Sequence, residues 1–383
     1  MTRGLDLDWP FFEPRHHELA ARIDRWCENH LGDAHAADVD EQCRALVHNL
    51  GSAGLLSLCV ADGDTPPDVR SLAIARSMLA RRSGLADFAF AMQGLGSGAI
   101  SLFGDAEQKT DYLPGVAGGS AIAAFALTEP GTGSDAANIS CRAVRDGSHW
   151  VIDGEKSYIS NGTIADVITL FARTSDDGAR GLSAFILPMP TAGLSVAERI
   201  EVIAPHPLAR LTLEGVRLPS GNMLGEEGDG FRIAMQTLNL FRVTVGAAAL
   251  GFAQRALDEA LDFATSRALG EGKLSDNAVT QHRLGDMATA IDASALLIAR
   301  AAWRQDKGEQ DNRQAAAMAK LYATEEAQRV IDMAVQLHGG LGVTRGVKVE
   351  ELYREIRALR IYEGASEVQR MIIARDLIKG YCA

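Results

Sequence analysis

The sequence is poor in aromatic residues and in basic charge. Aromatics make up 6% of the 383 residues, and 38 Lys and Arg stand against 50 Asp and Glu, which gives a formal net charge of −12. An acidic chain of this kind argues against a dominant nucleic-acid surface, because phosphate binding needs clustered cations. The apolar 47% is carried mainly by Ala, Leu, Val and Ile. This composition favours closely packed helices.

Cysteine is also scarce and scattered, since the sequence has no CxxC pair and no Cys/His cluster. The spacing predicts neither a disulfide framework nor a zinc site, so no metal is expected. The start of the chain, MTRGLDLDWPFFEP, has no apolar core of signal-peptide length, and no apolar run approaches about 18 residues. We therefore expect a soluble, cytoplasmic protein without a membrane segment. The five cysteines are Cys27, Cys43, Cys59, Cys141 and Cys382.

Helical periodicity dominates both ends of the chain. From Pro14 to about Pro114, apolar residues recur at helical spacing without the alternation of a strand. The period returns after GEEGDGF, and long apolar stripes then predict bundle helices. These stripes lie at 250–264, 287–302 and 313–337. A last helix is predicted at 367–379, where Ser366 and Gln369 form a capping-box pattern.

The middle of the chain changes to strand-like patterning. In CRAVRDGSHWVIDGEKSYISNG, residues 141–162, two Asp-Gly pairs separate short segments rich in Val, Ile and Trp. Asp-Gly suits tight turns that need positive φ, so we predict a β-meander with a turn at each pair. Further strand-like runs lie at 167–174, 182–187, 194–203 and 210–218. The predicted fold class is α+β, with a helical domain (1–119), a β-sandwich or barrel domain (120–224) and a helical bundle (225–383).

The segment FALTEPGTGSD, residues 125–135, stands where helices give way to strands. A plain Gly/Pro turn is the simpler interpretation from the motif alone. The alternative is a ligand loop, in which Thr128, Ser134 and nearby backbone amides donate to a planar heteroaromatic ring or a phosphate-bearing ligand. The segment is not GxGxxG and does not lead from a strand into a helix, which excludes a Rossmann dinucleotide site.

Two further segments carry candidate functional residues. In RIYEGASEVQR, Glu363 lies between Tyr362 and Gly364 after an apolar stretch. Poor solvation there would raise the pKa of the carboxyl group and suit it to proton abstraction near neutral pH. A solvated loop glutamate is the alternative, and the residues alone favour it. In VQLHGGLG, His338 has no local carboxylate or cysteine partner, so we interpret it as structural.

These segments, in this order, resemble the acyl-CoA dehydrogenase family. The similarity runs over nearly the whole chain, through GDAEQKTDYLPGVAGG, FALTEPGTGSD, GEKSYISNG, GEEGDGF, VQLHGGLG and IYEGASEVQR. The resemblance implies FAD-dependent α,β-dehydrogenation of an acyl-CoA thioester to a trans-2-enoyl thioester, within fatty acid metabolism. It also implies a homotetramer, or alternatively a homodimer, with electron-transfer flavoprotein as the electron acceptor.

The resemblance extends to individual residues. Glu363 would be the catalytic base, and Tyr158 stands where many relatives carry Trp. The implied substrate contacts are Ser134 at the pantetheine arm, Arg242 beside the acyl-CoA site, Tyr362 and Gly364. The implied FAD contacts are Phe125, Leu127, Thr128, Gly133, Ser134, Tyr158 and Ser160 of one subunit, with Arg267, Gln281, Gln336, Gly339 and Gly340 of its neighbour.

The chain also departs from the family pattern. Relatives usually show Arg-x-x-Phe-Gly where this sequence has Arg267-Ala-Leu-Gly270, and the segment IAPHPLAR (203–210) replaces a common Gly-Arg-Ser-Thr motif. Phe241, beside Arg242, favours a short or branched acyl group. These departures leave room for a substrate linked to acyl carrier protein.

Other functions on the same fold are weaker alternatives. Flavin monooxygenases and oxidases generally lack a glutamate at the position of Glu363, so Glu363 speaks against them. A non-catalytic, DNA-associated flavoprotein conflicts with the net charge of −12. A cofactor-free helical interaction protein would leave the middle-domain motifs unexplained.

Overall fold

A computed structural model describes residues 5–31, 38–309 and 312–382; the first four residues of the opening segment lie outside these ranges. Helices precede and follow a central sheet, which confirms the predicted α+β class. The helices are α1 (Pro14–His30), α2 (Val39–Ser52), α3 (Val69–Arg82), α4 (Gly84–Phe103), α5 (Ala106–Ala117), α6 (Gly230–Ser266), α7 (Ala278–Asp306), α8 (Arg313–His338), α9 (Lys348–Leu359) and α10 (Ser366–Cys382). The strands are β1 (Ala123–Ala126), β2 (Arg142–Asp146), β3 (His149–Ser160), β4 (Val167–Arg173), β5 (Leu182–Pro188), β6 (Leu194–Arg199), β7 (Leu208–Pro219), β8 (Met223–Leu224), β9 (Ala268–Leu269) and β10 (Gly272–Lys273).

The chain divides into two compact units. The helical unit takes its described residues from Met1–Gly32, Asp68–Asp87 and Arg242–Ala383, and the sheet unit from Asp33–Pro67 and Phe88–Phe241. Helices α4 and α6 each contribute to both units, so the units do not follow the boundaries expected after residues 119 and 224. The three-domain boundaries stay a prediction.

The helical unit is built around helix α8, which packs against α7, α9 and α10, while α3 packs against α1 and α7. Small residues let its backbones approach closely. A Cβ atom built on Gly251 of α6 would lie 2.2 Å from the backbone oxygen of Ser77 in α3. Alanine is the most frequent buried residue of α7 and α8, which agrees with the close helix packing that the composition predicts.

The sheet unit holds a mixed sheet in the order β6-β7-β3-β2-β4-β5-β8, with β1 parallel to β4. The hairpin between β2 and β3 turns at Asp146-Gly147, as predicted. The second predicted turn is wrong, because β3 runs unbroken through Asp153-Gly154. Gly154 instead sits at a register shift with φ 146°, and a Cβ there would lie 2.8 Å from the Cα of Cys141. Glycine is needed for a bulge and a close approach, not for a turn.

Two predictions at the C-terminal end are also corrected. Helix α9 was not predicted, although its buried residues Val349, Leu352, Ile356 and Leu359 recur at helical spacing. The predicted capping box is absent, because the Ser366 hydroxyl donates to Glu325 and the Gln369 side-chain amide donates to the Gly364 carbonyl oxygen at 2.8 Å. Both side chains tie the loop before α10 to its surroundings.

Helix α6 is long and apolar enough to cross a membrane by length and composition. The expectation that no segment reaches this length is corrected on that point. Most of its apolar window, 78%, is buried inside the protein. Core helices of globular proteins meet the same criterion, so this finding is weak evidence for a membrane span.

The close approach at Gly251 predicts a stability difference between two glycine substitutions. We expect Gly251→Ala to cost about 1–3 kcal/mol, because the added methyl group clashes with the backbone of α3. Gly285→Ala in α7, where a Cβ meets no atom within 4 Å, is the matched control and should gain up to about 1 kcal/mol from helix propensity. Thermal unfolding midpoints of both variants test this; equal midpoints would contradict it.

Candidate active site

Glu363 occupies the short connection between α9 and α10 in an unusual backbone conformation. Its φ is 51° and that of Gly364 is 90°. Left-handed geometry costs a residue with a side chain about 1–2 kcal/mol. Such strain persists only where the surroundings impose it, and it clusters at functional sites.

The carboxyl group of Glu363 is poorly satisfied. Within the described chain its Oε2 atom is buried and has no hydrogen-bond partner, although the residue as a whole keeps some exposure. Burial raises the pKa of Glu363, and the nearby cations of Arg76, Lys320 and Arg242 act against that rise. A carboxylate with a free oxygen and a raised pKa is well suited to accept a proton.

The charged residues around Glu363 come from several helices of the helical unit. Arg76 of α3 binds both carboxylate oxygens of Asp87 in α4, at 2.9 and 2.8 Å, and both side chains are buried. Arg242 of α6 is 5% exposed, and burial lowers its pKa to about 10. Arg76, Asp87 and Lys320 were not predicted from the sequence as site residues. A charged residue on an otherwise apolar helix face was the signal available for Lys320.

In the sheet unit, the two motifs expected at the flavin lie side by side. The backbone N–H of Ser157 donates to the Thr128 carbonyl oxygen at 2.9 Å, which joins the loop after β1 to the end of β3. Tyr158 has φ 56°, and its side chain is 61% exposed. Ser160 ends the same strand.

A buried ion pair holds these two segments together. The Lys156 ammonium, with no exposed surface, donates to Glu129 Oε1 at 2.8 Å and to the Leu127 carbonyl oxygen at 3.1 Å. Glu129 also accepts from the backbone N–H groups of Ser140 and Cys141. The pKa of Glu129 is lowered by Lys156 and Ser140 despite its burial. Sequence reasoning missed this pair, which fixes the residues on both sides of Thr128.

The side chains of Thr128, Tyr158 and Ser160 fit a flavin ring. In the described chain, the hydroxyl groups of Thr128 and Ser160 make no hydrogen bond, and the Tyr158 ring is open to solvent. Free hydroxyl donors beside an exposed aromatic ring match a planar heterocycle with nitrogen and carbonyl acceptors. Gly133 adds open space, since a Cβ there would meet no atom within 4 Å.

The remaining candidate residues fall in both units. Phe125 and Leu127 lie on or beside β1, and Ser134 is exposed in the following loop. Tyr362 is partly buried beside Glu363, and its pKa is raised by burial. The residues assigned to a neighbouring subunit are all exposed on the helical unit: Arg267, Gln281, Gln336, Gly339 and Gly340. His338 is buried, and its ring stacks on Phe263 with 4.4 Å between centroids, which is a packing role.

Comparisons with known proteins cover the whole architecture. Residues 13–120, 124–216 and 228–378 match the N-terminal, middle and C-terminal domains of acyl-CoA dehydrogenase. The mitochondrial short-chain specific acyl-CoA dehydrogenase of Homo sapiens is 39% identical over 359 residues, covering 90% of this chain and 86% of that protein.

Comparisons with solved structures give the same fold. Butyryl-CoA dehydrogenase from Megasphaera elsdenii superposes with a TM-score of 0.88 at 30% identity, covering 96% of this chain and 99% of that one. A chain from a structure of the electron transferring flavoprotein of Acidaminococcus fermentans gives a TM-score of 0.88 at 32% identity, covering 96% and 98%. The chain belongs to the acyl-CoA dehydrogenase family. It is an oxidoreductase, and its cofactor is FAD.

The buried pair in the sheet unit predicts a linked loss of stability and cofactor. Lys156→Met would leave the Glu129 carboxylate buried without its cation, which costs about 3–5 kcal/mol. We expect a lower unfolding midpoint and a lower FAD-to-protein absorbance ratio after purification. Lys109→Met, which removes a partly exposed ion pair with Asp64 at 3.4 Å, is the control and should change both by little. Full FAD content in Lys156→Met would contradict the assigned role.

The raised pKa of Glu363 predicts a pH-dependent stability difference. Between the unfolded pKa, about 4.3, and the higher folded pKa, the folded state binds more protons than the unfolded state. Stability therefore falls as pH rises through that window. Glu363→Gln cannot ionise, so we expect it to unfold at a higher temperature than the wild type at pH 8 and at nearly the same temperature at pH 4. If the unfolding midpoints of the two proteins differ by the same amount at pH 4 and pH 8, ionisation of Glu363 does not destabilise the folded state.

Proposed function

We propose that the protein oxidises an acyl-CoA thioester to its trans-2-enoyl product, with Glu363 as the base that removes the α-proton. The observation that carries this proposal is the buried, unpartnered Oε2 of Glu363, held in a strained loop. Bound FAD supplies the two-electron acceptor for the β-hydride. The remaining work belongs to the protein's own residues.

Glu363 must be ionised to act, yet basic enough to take a weakly acidic proton. Burial raises its pKa, while Arg76, Lys320 and Arg242 keep the carboxylate form accessible. Brønsted behaviour favours a base whose pKa lies near the working pH. The balance between desolvation and three cations therefore sets the pH range of the reaction.

Thr128 and Ser160 would hold the flavin ring through their free hydroxyl groups, with Tyr158 against its face. Phe125, Leu127 and Gly133 would line the same ligand. We assign Ser134, Arg242, Tyr362 and Gly364 to the acyl-CoA substrate, following the family pattern.

The neighbouring subunit would supply the residues exposed on the helical unit, so we propose a homotetramer in which assembly completes the cofactor site. Support comes from the shared exposure of these residues, which are Arg267, Gln281, Gln336, Gly339 and Gly340. We also propose that the protein works in fatty acid metabolism in the cytoplasm. Its five cysteines, all free in the structure, suit a reducing compartment.

We propose a short acyl chain and electron-transfer flavoprotein as the electron acceptor. The Phe241 ring lies against helix α4, where Cβ atoms built on Gly94 and Gly98 would lie 2.6 and 2.7 Å from it. A bulky ring seated on two glycines leaves little room for a long chain in that region. The short-chain and butyryl-CoA relatives, and the likeness to the chain from the electron transferring flavoprotein structure, support the same assignment.

Anaerobic mixing with acyl-CoA thioesters tests the proposal. We expect butyryl-CoA to bleach the flavin absorbance of the wild type faster than octanoyl- or palmitoyl-CoA. Glu363→Gln should keep its FAD and bleach about 10²–10⁴-fold more slowly, which is the typical contribution of a general base.

Glu367→Gln is the matched control, because Glu367 lies four residues further on and its side chain is 80% exposed. It should bleach like the wild type. Full bleaching by Glu363→Gln would refute the role of Glu363. If no CoA thioester bleaches the wild type but acyl carrier protein conjugates do, the carrier is wrong. If both classes fail, a monooxygenase or oxidase function gains support.

A further inference from the structure

Lys320 is a buried lysine that contacts the loop on both sides of Glu363. It lies in helix α8 with no exposed surface. Its ammonium group donates to the Tyr362 carbonyl oxygen at 2.9 Å and to the Gly364 carbonyl oxygen at 2.6 Å. One side chain therefore binds the carbonyl groups of the residues immediately before and after the proposed base.

Packing alone does not account for a lysine at this position. In the described part of the chain its ammonium makes no ion pair, and burial lowers its pKa to about 8, with Glu363 acting in the opposite direction. An apolar side chain would fill the same core space without the cost of desolvating a cation. The lysine instead supplies donors that no apolar residue could supply.

The backbone geometry shows what those donors achieve. Glu363 and Gly364 are successive residues with positive φ, 51° and 90°. The Tyr362 and Gly364 carbonyl groups converge on the Lys320 ammonium, so this positive-φ segment is bound at both ends by one side chain. The Gln369 side-chain amide donates a third hydrogen bond to this loop, to the Gly364 carbonyl oxygen at 2.8 Å.

We propose that Lys320 is a positioning residue for Glu363, holding the carbonyl groups on both sides of it so that the carboxylate points in one direction. This inference rests on the proposed role of Glu363 as the base. Lys320 itself does not exchange a proton with the substrate.

The charge of Lys320 gives the proposal a second, separable consequence. Arg76 from α3, Lys320 from α8 and Arg242 from α6 lower the pKa of Glu363, whereas Asp87 from α4 raises it. Removing one cation disfavours the carboxylate form. The acid limb of the pH profile must then move to higher pH.

Three variants of the holoenzyme separate the positioning effect of Lys320 from the effect of its charge. Lys320→Met removes both the hydrogen bonds to the loop and the charge. We expect its flavin bleaching by butyryl-CoA to slow roughly 100-fold, as a misplacement of about 1 Å can do, and the acid limb of its pH profile to move to higher pH. Lys320→Arg keeps the charge, so it should recover part of the rate and keep the wild-type acid limb.

Thr324→Val is the control, because Thr324 is buried one turn further along α8 and its hydroxyl donates within its own helix. It should lower the unfolding midpoint without moving the limb.

Hydrogen exchange measured by mass spectrometry gives a readout that needs no turnover. Lys320→Met should lose protection in the peptide covering 358–370, while Thr324→Val keeps it. If Lys320→Met does not fold, Lys320→Gln provides the same comparison. Wild-type exchange together with a wild-type pH profile in the folded variant would overturn the proposal.

The role of Glu363 as the base and the role of Lys320 as a positioning residue can fail independently. If Glu363→Gln still reacts, the base assignment fails, and hydrogen exchange alone decides whether Lys320 holds the loop. If Glu363→Gln is inactive but Lys320→Met is unchanged in rate, limb and exchange, only the positioning role fails.

Discussion

The helical unit keeps the Glu363 carboxyl group buried with one oxygen that has no hydrogen-bond partner in the described chain. Water would hydrate a loop glutamate and leave it a weak base, so the fold must exclude water from Glu363 and still tolerate its charge. Arg76 donates to both carboxylate oxygens of Asp87. Arg76, Lys320 and Arg242 are the cations that offset the desolvation of Glu363. The core around this group is therefore electrostatic as much as apolar.

The sheet unit meets a similar demand in a similar way. Lys156 reaches the Leu127 carbonyl oxygen beside Thr128, as Lys320 reaches the carbonyl groups beside Glu363. In both places a fully buried ammonium fixes backbone next to a residue with a functional assignment. The two sites differ in one respect: Lys156 has a carboxylate partner, Glu129, within 2.8 Å. Lys320 has backbone oxygens instead, which leaves its charge to act on Glu363.

The order of elements could be predicted from the sequence because each change of hydrophobic period spans tens of residues. Local features were less accessible. Asp146-Gly147 and Asp153-Gly154 are the same dipeptide, yet one makes a hairpin turn and the other a bulge beside Cys141, because only the tertiary fold brings that backbone within reach. Ser366 likewise has a capping pattern, but Glu325, far along the chain, takes its hydroxyl. The residues flanking Glu363 were predictable from its motif, whereas Arg76, Asp87 and Lys320 approach it only through helix packing.

The family pattern supports the proposed reaction more strongly than the proposed subunit contacts. Glu363 has the buried carboxyl oxygen and the raised pKa on which its proposed role as the base rests. The segment after Arg267 does not keep the usual Phe: it forms the short hairpin of β9 and β10, with Gly270 at φ 60° and Leu269 half exposed. An exposed leucine can pack against an apolar neighbour, but it cannot stack on an adenine or flavin ring as an aromatic can. One divergence from the family pattern thus lies on the exposed surface of the helical unit, where we propose that a neighbouring subunit binds, while the others lie in the sheet unit, at Tyr158 and 203–210.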